Sequence, residues 1–91
     1  MAKVFIPSLM QSLTKGKGEL QVPGKTIREI INNLEQQYPG MKARLVDGFR
    51  IKGNINVAID GEVTPLGLLA EVNEDSEVHF LPAIGGGSLP G

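Results

Sequence analysis

Two spacings of apolar residues take turns along this chain, one of two residues and one near 3.6. Lys3-Val4-Phe5-Ile6 is β-branched and aromatic and predicts a strand. It ends at Pro7, which has no N–H to give to a ladder. Leu9 to Leu13 reads as an irregular continuation of that strand. Thr14-Lys15-Gly16-Lys17-Gly18 predicts a turn. In Glu19-Leu20-Gln21-Val22 every second residue is apolar, so it predicts the returning strand of a hairpin, closed by Pro23-Gly24. There the period changes. Ile27, Ile30, Ile31 and Leu34 fall at i, i+3, i+4 and i+7, and Tyr38 extends the same stripe. Thr26 and Glu29 have capping-box spacing, which satisfies free N–H groups at a helix start. Pro39-Gly40 stops the helix.

Beyond it, Met41 to Val46 predicts a further short helical turn, and Asp47-Gly48 a reversal. Asn54-Ile55-Asn56-Val57-Ala58-Ile59 alternates cleanly and predicts a strand. Asp60-Gly61 is a hairpin turn signal, Glu62-Val63 begins the return, and Thr64-Pro65 breaks the pattern. Leu66, Leu68, Leu69 and Val72 are expected in a short helical or irregular connection whose leucines cap the core. Asn73-Glu74-Asp75-Ser76 is an acidic turn, and Glu77-Val78-His79-Phe80-Leu81 the final strand.

The order is ββαββ. One helix then packs across one face of a mixed sheet, with the first and last strands parallel. That is the β-grasp architecture, a layered α+β solution. Val4, Ile6, Ile55, Val57, Ile59, Val78 and Phe80 are expected to face the helix. The opposite parity places Phe5, Ala58, His79 and Leu81 on the other face.

Ninety-one residues predict one domain, with a folded body over 1–82 and a glycine-rich tail over 83–91. Hydrophobic residues make up 41% of the chain, enough for a single core. A net charge of -1 argues against nucleic acid, whose phosphates call for a basic excess. With no cysteine, disulfides, thiolate metal sites and iron–sulfur clusters are excluded. No apolar run approaches the ~20 residues of a membrane span. The start of the chain lacks a basic region followed by an apolar segment, so the expected compartment is the cytoplasm.

Enzymatic signatures are missing. No Walker, Rossmann or nucleophile-elbow motif is present. His79 is the sole histidine and reads as a structural or surface residue rather than a ligand. Glu71, Glu74, Asp75 and Glu77 read as a solvated turn, with docking to a basic surface as the rival. Lys42, Arg44, Arg50 and Lys52 read as a solvated loop, with a phosphate or partner contact as the rival. The chain is expected not to be an enzyme in its own right, and to bind no metal or cofactor itself.

What remains is the ending. Asp75-Ser76-Glu77-Val78, followed by Phe80-Leu81-Pro82-Ala83-Ile84-Gly85-Gly86-Gly87, resembles the ubiquitin-like sulfur-carrier family (ThiS, MoaD and CysO types). Its members serve thiamin, molybdopterin and cysteine synthesis, and the ending is closest to the last two branches. The resemblance covers nearly the whole chain, but its specific part is the ending and the Asp60-Gly61 region. It implies that the functional glycine pair is Gly86 and Gly87. The terminal glycine carboxylate would be adenylated by a ubiquitin-activating-type adenylyltransferase that uses ATP, and converted to a thiocarboxylate. A sulfur-accepting synthase would then consume it. Glycine suits this chemistry, because a tail without Cβ enters a narrow active site without a clash.

Here the chain departs from the pattern, since Ser88-Leu89-Pro90-Gly91 follows Gly87. Either a processing metalloprotease exposes Gly87, or Gly91 is the reactive end, or the tail is inert. Phe5, Ala58, Leu81, Pro82, Ala83 and Ile84 are the expected docking residues, an apolar patch beside the tail. The rival for Phe5 and Leu81 is burial under the loop from Phe49 to Gly53. Two other functional readings stand beside the carrier: a protein modifier joined to lysines, and a plain β-grasp interaction module.

Overall fold

The computed structural model describes residues 1–82. β1 (Ala2–Phe5) and β2 (Glu19–Val22) form the first antiparallel hairpin, with Val4 opposite Leu20. α1 (Ile27–Gln37) crosses to β5 (Ile55–Ile59), which turns into the short β6 (Glu62–Val63). The final strand, β7 (Glu77–Pro82), runs parallel to β1 and antiparallel to β5, so it lies at the centre of a sheet ordered β2-β1-β7-β5-β6. This is the expected β-grasp order.

The helix starts where its cap residues predict. The Glu29 N–H donates to Thr26 Oγ1 at 3.2 Å, and Glu29 Oε1 accepts from the Lys25 N–H at 2.9 Å. The reciprocal bond therefore reaches one residue further back than in the usual box. Ile27, Ile30, Ile31 and Leu34 are at most 1% exposed. Burying a side chain of this size contributes about 1.5–3 kcal/mol relative to leaving it in water. Gly24 lets the preceding loop lie against this helix. Its φ is +153°, and a Cβ there would sit 2.9 Å from the Ile30 backbone nitrogen.

The sheet supplies the other half of the core with the expected parity. Val4, Ile6, Ile55, Val57, Val78 and Phe80 are buried, and Ile59 is half-buried. At the β5–β6 turn Asp60 and Gly61 both have positive φ, +52° and +88°, as a two-residue hairpin turn requires.

Three segments differ from expectation. Ser8–Thr14 is a 3-10 helix, not an irregular strand. Pro7 ends the ladder, and local polar groups then replace it. The Met10 N–H donates to the Pro7 carbonyl, the Gln11 amide to the Ile6 carbonyl at 3.0 Å, and the fully buried Thr14 hydroxyl to the Lys17 carbonyl at 2.7 Å. After Pro39-Gly40, α2 (Met41–Leu45) forms as predicted, but Val46–Asp47 and Arg50–Ile51 are β3 and β4, a separate small hairpin.

The third correction concerns the leucines after β6. They were expected to cap the core, yet Leu66 and Leu69 are 60% and 75% exposed. Gly67–Leu69 is a 3-10 turn, and residues three apart in such a turn share one side. Leu66 and Leu69 therefore face water together, while Leu68 and Val72 pack on the core.

Candidate functional site

β7 is the element that places the site. Its first half pairs with β1, through Glu77 to His79, and Val78 to Pro82 pair with β5; its end, Leu81-Pro82, is where residues 83–91 begin. Ala83, Ile84, Gly86 and Gly87 lie outside the described residues.

The sheet face away from α1 carries one continuous row. Register places Glu19 beside Phe5, Phe5 beside His79, His79 beside Ala58, and Ala58 beside Val63. The imidazole of His79 stacks on the Phe5 ring, with centroids 4.1 Å apart and planes 5° from parallel. His79 Nε2 is 4.0 Å from Glu77 Oε1, an ion pair only when the imidazole is protonated. Lys3 Nζ lies 3.7 Å from Glu19 Oε2 on the same face.

Of the residues expected to dock a partner, Phe5, Ala58, Leu81 and Pro82 all come to this face or its end. They do not contribute equally. Leu81 is 39% exposed and Pro82 is exposed, whereas Phe5 is half-covered by the stack and Ala58 is only 5% exposed. The small Ala58 methyl lies between the larger His79 and Val63. Phe49 does not cover Leu81, being itself 97% exposed.

Beside the end of β7 lies a groove of about 420 Å³, lined by Phe5, Pro7, Leu9, His79, Leu81 and Pro82. Arg44 and Lys52 also line it and bring positive charge near the start of the tail. Leu9 and Val63 are further exposed apolar residues that sequence reading had not assigned to the site. Val63 was recoverable, because a two-residue Asp60-Gly61 turn pairs it with Ala58. Leu9 was not, because its position depends on the 3-10 helix.

Among the described residues no group of three or more His, Asp or Glu is placed to hold a metal ion. Among them, too, no helix is long and apolar enough to cross a membrane.

Comparison with known proteins places this arrangement. The family model described as "ThiS family" matches residues 8–87. A chain in the crystal structure of the Amycolatopsis orientalis BexX/CysO complex superposes with a TM-score of 0.89 at 35% identity, covering 96% of this chain and all of that one. The sulfur carrier protein CysO of Mycobacterium tuberculosis is 28% identical over 89 residues, covering 92% of this chain and 96% of the relative. The small archaeal modifier protein 3 of Haloferax volcanii is 30% identical over 64 residues, covering 68% of this chain and 70% of the relative. The family match takes in the helix, four of the five strands of the sheet (all but β1) and Gly86-Gly87, and the chain therefore belongs to the ThiS family.

Proposed function

We propose that this protein is a sulfur carrier, acted on at its C-terminal glycines rather than catalysing a reaction itself. One observation carries the reading: the family match extends through the glycine run and stops at Gly87, the second residue of the functional pair. The central strand that leads into this run supports it, as do relatives that are themselves sulfur carrier proteins.

The chemistry runs in three steps. Hydrolysis of the Gly87–Ser88 peptide bond by a processing metalloprotease gives a free Gly87 carboxylate. A ubiquitin-activating-type adenylyltransferase joins that carboxylate to the α-phosphate of ATP and releases pyrophosphate. Sulfide-level sulfur then attacks the acyl carbon, AMP leaves, and the thiocarboxylate goes to a sulfur-accepting synthase. Gly86 lets the chain thread a narrow active site. Phe5, Leu81 and Pro82, with Ala83 and Ile84 beyond them, form the docking surface. Cysteine synthesis is the pathway favoured by the CysO relatives, ahead of thiamin and molybdopterin, with the cytoplasm as the compartment.

The test is intact mass after incubation with the activating enzyme, ATP and sulfide. A chain ending at Gly87 gains one oxygen-to-sulfur exchange, and the 91-residue chain does not. Equal sulfur gain by the full chain would make Gly91 the reactive end. The likeness to an archaeal modifier protein favours a second reading, conjugation to lysines. A ladder of covalent conjugates in native cells would support it over the carrier.

A further inference from the structure

We propose that a second groove, on the helix side of the molecule, binds an acidic segment of a partner protein that carries apolar anchors. The groove of about 690 Å³ lies between α1, the β3–β4 hairpin and the 67–69 turn. The proposal does not depend on the sulfur-carrier reading, since it uses neither the sheet row nor the tail.

Charge is the first observation. Arg28, Lys42, Arg50 and Lys52 line the groove, and among the described residues no Asp or Glu does. The chain has nine Lys and Arg against ten Asp and Glu, so a random sampling of its charges would mix signs. Among the described residues, none of the four cations is within 4.0 Å of a carboxylate oxygen. Asp47 stands opposite Arg50 in the β3–β4 pair and Glu35 lies near Lys42, but neither carboxylate lines the groove, so the four cations leave its wall positive and able to attract an anionic partner.

Apolar exposure is the second. Phe49, Leu66 and Leu69 line the same groove and are 97%, 60% and 75% exposed. Phe49 follows Gly48, whose φ of +68° turns the hairpin tip. Intramolecular packing does not account for a phenylalanine in that position. Large apolar side chains beside clustered cations match an amphipathic segment, with leucine or aromatic anchors on one side and carboxylates on the other. A phosphate chain would satisfy the cations but leave both leucines in water. The partner of best fit is therefore protein.

The probe is a short amphipathic peptide of glutamate and leucine, titrated into the isotope-labelled full chain and followed by NMR. Binding is expected, with shifts centred on Phe49, Arg50, Leu66 and Leu69 and affinity falling as salt rises. Phe49→Ser and Arg50→Glu, both at exposed positions, should each weaken it about tenfold or more. Lys17→Glu makes the same charge change as Arg50→Glu away from the groove and should leave binding unchanged. No binding at millimolar peptide would overturn the proposal. So would equal binding of a lysine-for-glutamate peptide, or tighter binding of oligothymidylate. Self-association of the free chain that Phe49→Ser abolishes would also overturn it, giving the groove to a second copy.

Discussion

The hydroxyl of Ser76 donates to Asp60 Oδ2 at 3.1 Å, tying the β5–β6 turn to the start of the central strand. The other oxygen of Asp60 accepts the Glu77 N–H at 2.9 Å, and Ser76 Oγ accepts the Asn73 N–H at 3.0 Å. Ser76 is 2% exposed, so its hydroxyl has little access to water as a replacement partner.

Asp60→Ala should therefore destabilise the protein by about 1–3 kcal/mol, the range for leaving a buried polar group unpaired. Asp60→Asn keeps an acceptor and a residue type that tolerates positive φ, and should lose less than half as much. Urea unfolding of the three proteins checks the order. Equal midpoints for alanine and wild type would show that the bonds contribute nothing net.

Ile30 and Ile31 are both within 1% of full burial on the helix stripe. Replacing either with alanine should cost about 2–5 kcal/mol, counting the cavity left behind. A domain with total stability of about 5–15 kcal/mol loses a large share of it. Calorimetry reads this directly, and variants melting within a degree or two of wild type would refute the helix-on-sheet packing.

Glu35 makes a contact of another kind. Its carboxylate accepts the Lys42 N–H at 2.8 Å and the Gly40 N–H at 3.1 Å, capping α2 from the end of α1. These bonds favour the charged form and lower its pKa below the ordinary 4.5. A lowered folded-state pKa gives stability that is present above 4.5 and lost as pH falls through the folded value. Glu35→Gln should thus melt below wild type at neutral pH, with the difference closing well below 4.5. A gap in Tm that stayed constant across that range would assign the effect to packing.

Leu81→Asp bears on the sheet face. The side chain is 39% exposed at the end of β7, so the substitution should spare the fold. Affinity for the activating enzyme should drop roughly thirtyfold or more, as for a central apolar anchor. Unchanged affinity in a titration would remove this face from the docking surface.

Much of the body was legible because local and global signals agree. The Thr26 to Leu34 stretch carries its own cap and its own stripe, so neighbours were not needed to place it. Strand parity followed from simple alternation through Val4, Val57 and Phe80. The misreadings lie where a third residue decides. Leu66 and Leu69 look like core leucines until a 3-10 turn puts them on one side. Val46 and Ile51 pair over a span too short for alternation to register. The Glu35 cap crosses the Pro39-Gly40 break that marked the helix end. The stack of His79 on Phe5 depends on which strands are neighbours, and spacing along the chain carries no trace of that. Gly86 and Gly87 were legible only through their family resemblance.

Lys3, Val4 and Phe5 pair in parallel with Glu77, Val78 and His79. Tension between the chain beyond Pro82 and the opposite end of β1 would therefore act along the ladder, and its hydrogen bonds would have to shear together instead of parting singly. β5 holds the same strand on its other edge through five further residue pairs. The bond pattern thus works as a mechanical clamp. An enzyme drawing the glycine end into its active site would meet its stiffest resistance at β7, and the rate of forced unfolding would be set there.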